Sequence, residues 1–197
     1  MAVPRFPPST AGLNRAIVWA PIWDPQRKGQ GLEHLLLGAH AADSLLLGFD
    51  EAGQPYRLHY TCAWDEQWYL HSARFEVTTR QTIQSLALRA DGQGRWWNGA
   101  EQAVALTGCR DLDLWPTPFT NTLAIRRLGL ALEERREIRV VYVAAPALTV
   151  TVMQQAYTRL GERRYRYENV ESGYRADLTV DAEAVVLDYP GLFRRLY

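Results

Sequence analysis

W-P-T-P-F-T-N-T-L-A-I-R-R-L, Trp115–Leu128, is the only stretch where a proline-punctuated loop turns into a short helix. Pro116 and Pro118 fix φ and push Trp115 and Thr117 into extended backbone, so no helix begins before Phe119. Thr120 or Asn121 then serves as N-cap, its side-chain oxygen taking an orphan N–H of the first turn. Leu123, Ile125 and Leu128 fall on one side, Arg126 and Arg127 on another. The sequence to either side reads almost entirely as strand. The lone basic helix Asn121–Leu128 is therefore either a plug for a sheet or a lid over something held there.

Working outward, alternation is cleanest just upstream. Leu58, Tyr60, Cys62 and Trp64 share one face, with Arg57, His59 and Thr61 opposite. Phe75 and Val77 repeat the pattern, and Leu86 and Leu88 continue it. Asp91–Gly94 (D-G-Q-G) and Asn98-Gly99 are hairpin signals around a short Arg95–Trp97 strand. Downstream, strands at Ile138–Val143, Val150–Leu160, Arg163–Val170, Tyr174–Val180 and Val185–Tyr189 are separated by turns. Pro190-Gly191 breaks the last of them. Nearer the N-terminus, Ala16–Ile22 is a strand candidate, while Leu32–Gly38 and Ser44–Phe49 are ambiguous between strand and helix. Residues 1–15 form a Pro-rich arm, and 16–197 one domain, mainly β with one or two helices. Ten to twelve antiparallel strands must curl into a barrel, an open half-barrel or a sandwich.

The 197 residues carry 22 Lys+Arg and 22 Asp+Glu, a net charge of zero. No global field steers such a chain to nucleic acid or an anionic membrane. Lys28 is the single lysine. Arginine suits planar recognition of carboxylate or phosphate, although GC-rich coding bias produces the same skew. Seven tryptophans and ten tyrosines suit strands and pockets for sugars or acyl chains. Cys62 and Cys109 lack a motif and fit a reducing compartment. No secretory leader or membrane span is read, so the expected location is the cytoplasm.

Motifs of catalysis are thin. His34, His40, His59 and His71 lack zinc spacing, and there is no Walker loop, G-x-S-x-G or dinucleotide fingerprint. No metal and no cofactor is expected. Asp111 and Asp113 share a strand face and read first as a surface pair beside a loop. In R-R-Y-R-Y-E, Arg163–Glu168, Tyr165 and Tyr167 share one face and Arg164, Arg166 and Glu168 the other. That face is either an outward ladder of ion pairs or a groove lining. Gln155 and Tyr157 present an amide and a phenol to one side, and a buried glutamine must be networked or face a ligand.

On D-G-Q-G-R-W (Asp91–Trp96), Asp111–Leu128, Q-A-Y-T-R-L (Gln155–Leu160), Y-R-Y-E (Tyr165–Glu168) and D-Y-P-G-L-F-R-R (Asp188–Arg195), the chain resembles the glycolipid-binding family, first catalogued as a bacterial domain of unknown function. The resemblance covers most of the chain after about Tyr56. It implies a strongly curved, open or half-barrel antiparallel sheet with a helix across its concave face, similar to the lipoprotein-localisation factors. Those factors work outside the cytoplasmic membrane, whereas no export signal is read here. Ala124 stands where the family pattern leads one to expect proline. No catalytic residue transfers. The implied activity is non-covalent binding of a lipid or glycolipid.

An acyl chain needs a dry trough, and a headgroup needs aromatic faces and bidentate donors at its mouth. Trp96, Trp97, Trp115, Tyr165 and Tyr167 are candidates for the first, and Arg126, Arg127 and Arg166 for the second. Gln155, Tyr157 and Asn121 complete the candidate ligand-binding set. The leading expectation is a non-catalytic carrier with the helix as lid. The alternatives are a self-associating scaffold, such as a homodimer, and an enzyme using Asp111, Asp113 or His59.

Overall fold

The structure, a computed structural model, describes residues 13–22 and 31–197. Most of the N-terminal arm lies outside them, and Leu13–Arg15 begin the first strand. In chain order the strands are β1 (Leu13–Pro21), β2 (Leu32–Gly38), β3 (Ala41–Phe49), β4 (Pro55–Trp64), β5 (Leu70–Thr78), β6 (Ile83–Ala90), β7 (Trp96–Asn98), β8 (Glu101–Gln102) and β9 (Asp111–Trp115). After α1 (Phe119–Leu128) come β10 (Arg135–Ala144), β11 (Thr149–Gly161), β12 (Arg164–Asn169), β13 (Arg175–Val180), β14 (Val186–Tyr189) and β15 (Phe193–Arg195). A 3₁₀ turn at Val104–Leu106 precedes β9.

All fifteen described strands join one curved, unclosed sheet, ordered β8-β7-β6-β5-β4-β3-β2-β1-β15-β14-β13-β12-β11-β10-β9. The chain thus runs outward along one arm to β8, passes through the 3₁₀ turn to β9 at the far edge of the other, and runs back inward from there. Both ambiguous apolar runs are strands. In β2 and β3 side chains alternate between buried and more exposed, the period of a half-buried strand. Pro190-Gly191 does not end the sheet: the chain turns there into β15, which pairs with β14 and places Arg195 opposite Trp19 of β1.

The expected antiparallel order has one exception. β9 runs parallel to β10, with Asp111 opposite Val140 and Asp113 opposite Tyr142. Parallel neighbours cannot be joined by a hairpin and need a crossover. The helix supplies it, which is why the only helical pattern in the sequence falls between these two strands.

The expected N-cap is not the one used. Pro118 occupies that position, and no side chain caps from it. The proline-bearing entry leaves the first free N–H at Phe119, and it donates to Thr117 Oγ1 at 3.1 Å. Thr120 and Asn121 lie inside the helix, and their side chains bond elsewhere. At the other end Gly129 takes a left-handed φ of 54° and donates to the Ile125 carbonyl, a conformation glycine adopts without strain. Arg126 and Arg127 sit in that last turn, where cations favour the helix dipole.

Every residue of α1 from Phe119 to Ile125 is buried. Phe119 and Leu123 join the apolar cluster of Trp19, Leu58, Phe75 and Leu114. Ala124 and Ile125 join a second cluster with Tyr157, Tyr167, Leu178 and Val186. A side chain of Leu or Phe size contributes roughly 1.5–3 kcal/mol when fully buried, so this segment is anchored on both sides. The helix is packed into the fold as a plug would be, with its apolar side chains in both clusters.

Candidate functional site

Open space remains beside the Pro116–Asn121 segment. A cleft of about 800 Å³ lies between Glu33, Leu46 and Tyr56 on β2–β4 and Trp115, Tyr142 and Pro146 on the other arm. A second cavity of about 280 Å³ includes Asp113, Asn121, Tyr167 and Tyr189. Trp115, Tyr142 and Phe193 line both. The larger volume falls in the range of roughly 300–1,000 Å³ usual for small-ligand sites.

The buried carboxyl in the larger cleft's wall is Glu33, while Asp50 and Glu51 also line the cleft. Glu33 points inward because β2 alternates, placing it in phase with Leu35 and Leu37. Tyr60 OH (2.6 Å), Ser44 Oγ (2.8 Å) and Thr117 Oγ1 (2.9 Å) all donate to its Oε1. Its Oε2 is buried with no partner. Burial pushes the carboxyl up to about 7 against these three bonds, because desolvation penalises the charged form. With Oε1 saturated by donors, the proton of the neutral form belongs on Oε2. The sequence analysis missed this residue. The available signal was an acid in phase with two leucines on a run whose period was ambiguous.

Beside the smaller cavity, Asp113 accepts from Thr120 Oγ1 at 2.9 Å and from Gln155 Nε2 at 2.6 Å. Tyr157 OH donates to Asn121 Oδ1 at 2.9 Å, and Asn121 Nδ2 to the Pro118 carbonyl at 3.1 Å. Gln155 thus reaches the helix through Asp113 and Thr120, and Tyr157 reaches it through Asn121, two sets of bonds that hold the helix against β9 and β11. The pair Asp111 and Asp113 is not a surface pair. Asp111 is 4% exposed and held by Arg127, and Asp113 is half-buried at the cavity.

Of the candidate ligand-binding residues, Trp115, Tyr167 and Asn121 line the open space. The others do not. Trp96 is fully buried and donates its indole N–H to the Cys109 carbonyl at 2.8 Å. Tyr165 packs in the second cluster. Arg127 is committed to Asp111 through bonds of 2.5 and 2.6 Å. Arg126 lies over the Trp68 ring at 4.5 Å. Arg166 pairs with Asp177 at 2.7 Å, with Arg164 on the same carboxylate. Glu168 is shared by Arg135 and Arg175, so the arginine face of β12 is the ladder of ion pairs. His59 bonds Asp43 at 3.0 Å on the face of β4 opposite Tyr60, away from both cavities. Among the described residues no group of His, Cys, Asp and Glu is arranged to hold a metal ion. None of their helices is long and apolar enough to cross a membrane.

Comparison with known proteins places the chain. A crystal structure of a DUF1089 family protein from Pseudomonas aeruginosa superposes with a TM-score of 0.84 at 48% identity, covering 85% of this chain and 93% of that one. Curated proteins give no match. The family model described as "Putative glycolipid-binding" matches residues 20–195. It spans nearly the whole sheet and the helix, and the chain belongs to that family.

Proposed function

We propose that the chain is a non-catalytic binding protein or carrier for a lipid-like amphiphile, whose apolar part lies in the larger cleft. One observation carries the reading: the cleft of about 800 Å³ between the two arms, whose wall joins aromatic and aliphatic side chains to the carboxyls of Glu33, Asp50 and Glu51. The family description supports it, and Leu32 and Leu47, 41% and 52% exposed, provide an apolar rim. The ligand enters beside the helix rather than beneath it.

Burying ten methylenes contributes about 8 kcal/mol, and association costs at least about 4 kcal/mol. The difference corresponds to binding near 1 mM. The tail alone is therefore insufficient, and headgroup contacts must supply the remaining affinity.

Mass spectrometry of an organic extract of the purified protein is expected to show a retained amphiphile. A fluorescent acyl probe should bind, and Trp115→Ala should weaken it by about tenfold, the effect of losing one buried aromatic contact of about 1.4 kcal/mol. Protein that is empty on extraction and indifferent to acyl probes rules the carrier out.

A further inference from the structure

The smaller cavity has a composition that the carrier reading does not use. Its rings form a connected arc. Trp115 and Phe193 lie 6.1 Å apart between centroids, Phe193 and Tyr189 6.1 Å, Tyr189 and Tyr167 6.1 Å, and Tyr167 and Tyr174 6.3 Å. Neighbouring planes are inclined by 56–68°, so the rings offer no single flat platform, and all five residues line the cavity. Asp113 is the only residue with an ionisable acid or a base among those lining it, apart from the phenols.

Among the described residues no cation is paired with that carboxylate. The groups acting on it, Gln155 and Thr120, are neutral donors, and burial shifts its carboxyl upward. Its charge is felt across the cage: after burial, Asp113 is the next cause raising Tyr142, to about 12, and it also raises Tyr167 and Tyr189. Burial without a cation draws Asp113 towards its neutral form, and a cation bound beside it would hold it ionised. Ring faces turned on a common space are attractive to a positive charge that is itself weakly hydrated. A sugar, by contrast, stacks on a single exposed face and leaves the charge uncompensated.

We infer that the cavity bounded by Trp115, Tyr167, Tyr174, Tyr189 and Asp113 is a binding site for an alkylammonium group. The group arrives either as a small free amine or as the cationic end of an amphiphile. Asp113 supplies the opposite charge, and the rings supply cation–π contacts to the methyl or methylene shell. Because Trp115, Tyr142 and Phe193 wall both spaces, an amphiphile with an ammonium head could place its tail in the larger cleft. The inference goes beyond the carrier reading and stands without it.

The test is calorimetric titration with choline, with dodecylphosphocholine below its micellar concentration, and with two neutral controls, methyl glucoside and dodecyl maltoside. Choline is expected to bind saturably. Tyr174→Ala, at a ring already 42% exposed, should weaken it by about three- to tenfold, the range for one cation–π partner. Asp113→Asn should weaken it by more than tenfold; if that variant does not fold, Tyr174→Ala decides. Equal choline affinity in wild type and Tyr174→Ala, or no choline binding at millimolar concentration, overturns the cage. So does methyl glucoside displacing choline. Dodecylphosphocholine binding far more tightly than choline marks a headgroup as the source, and equal binding marks a free amine. Dodecyl maltoside binding with choline silent overturns the cage and leaves the carrier standing. Choline binding with neither dodecyl compound gaining affinity from its tail sustains the cage and removes the carrier.

Discussion

Replacing Arg127 with alanine is expected to lower the unfolding free energy by about 3–5 kcal/mol, the usual loss when one partner of a buried ion pair is removed. The Arg127 and Asp111 side chains are 10% and 3% exposed. Two guanidinium bonds, of 2.5 and 2.6 Å, offset the desolvation of Asp111, whose carboxyl burial already shifts upward. Without Arg127 that charge stays in the protein with no hydrogen-bonded cation, leaving only the Coulombic influence of Arg110. The cost is that of stranding Asp111, not the net worth of the pair. The double variant Asp111→Leu with Arg127→Met should therefore recover most of the loss. Urea unfolding of the two variants measures both effects. If Arg127→Ala keeps wild-type stability and loses acyl-probe binding, the arginine faces a ligand, as the sequence suggested.

The second large effect is a dependence on pH. Glu33 is raised from its ordinary 4.5 to about 7, chiefly by burial. Between those values the folded chain holds a proton that the unfolded chain releases. The stabilisation is fully present below pH 4.5 and is lost as pH rises through about 7, at about 1.4 kcal/mol per unit. Across the window the loss is about 3 kcal/mol. Glu33→Gln has no proton to lose. The stability of wild type relative to that variant should fall by about 3 kcal/mol between pH 4.5 and 7.5. A difference that stays constant with pH would place Glu33 in water and dismantle the cleft wall built around it.

The fold was largely legible because period-2 alternation survives wherever one sheet face is buried. Leu58, Tyr60, Cys62 and Trp64 are all buried as that pattern requires. Asp111–Trp115 could not be read the same way. Leu112 and Leu114 face one core cluster, while Asp111 and Asp113 meet the helix on the other face. Both sides are covered, and polar residues there are satisfied by partners distant in sequence. For the same reason Asp111 and Asp113 looked like surface residues. Arg126 and Arg127 resembled headgroup donors because their actual partners, Trp68 and Asp111, are brought to them only by the tertiary fold. Trp96 looked available because its indole partner, the Cys109 carbonyl, lies across a loop. Of the site, the part visible in the sequence was the aromatic and polar set of Trp115, Tyr167 and Asn121. Glu33 was concealed by a leucine-rich run whose period one strand alone does not settle.

That the helix fills the fold and the ligand space lies beside it is tested most directly by nuclear magnetic resonance, during titration with a dodecyl-chain ligand. The Trp115 indole N–H, at the wall common to both cavities, should shift saturably. The Trp96 indole and the methyls of Leu123 and Ile125, all buried, should stay in place. Saturable shifts centred on Leu123 and Ile125 with Trp115 unmoved would put the chain beneath a helix that opens, and would contradict the plug.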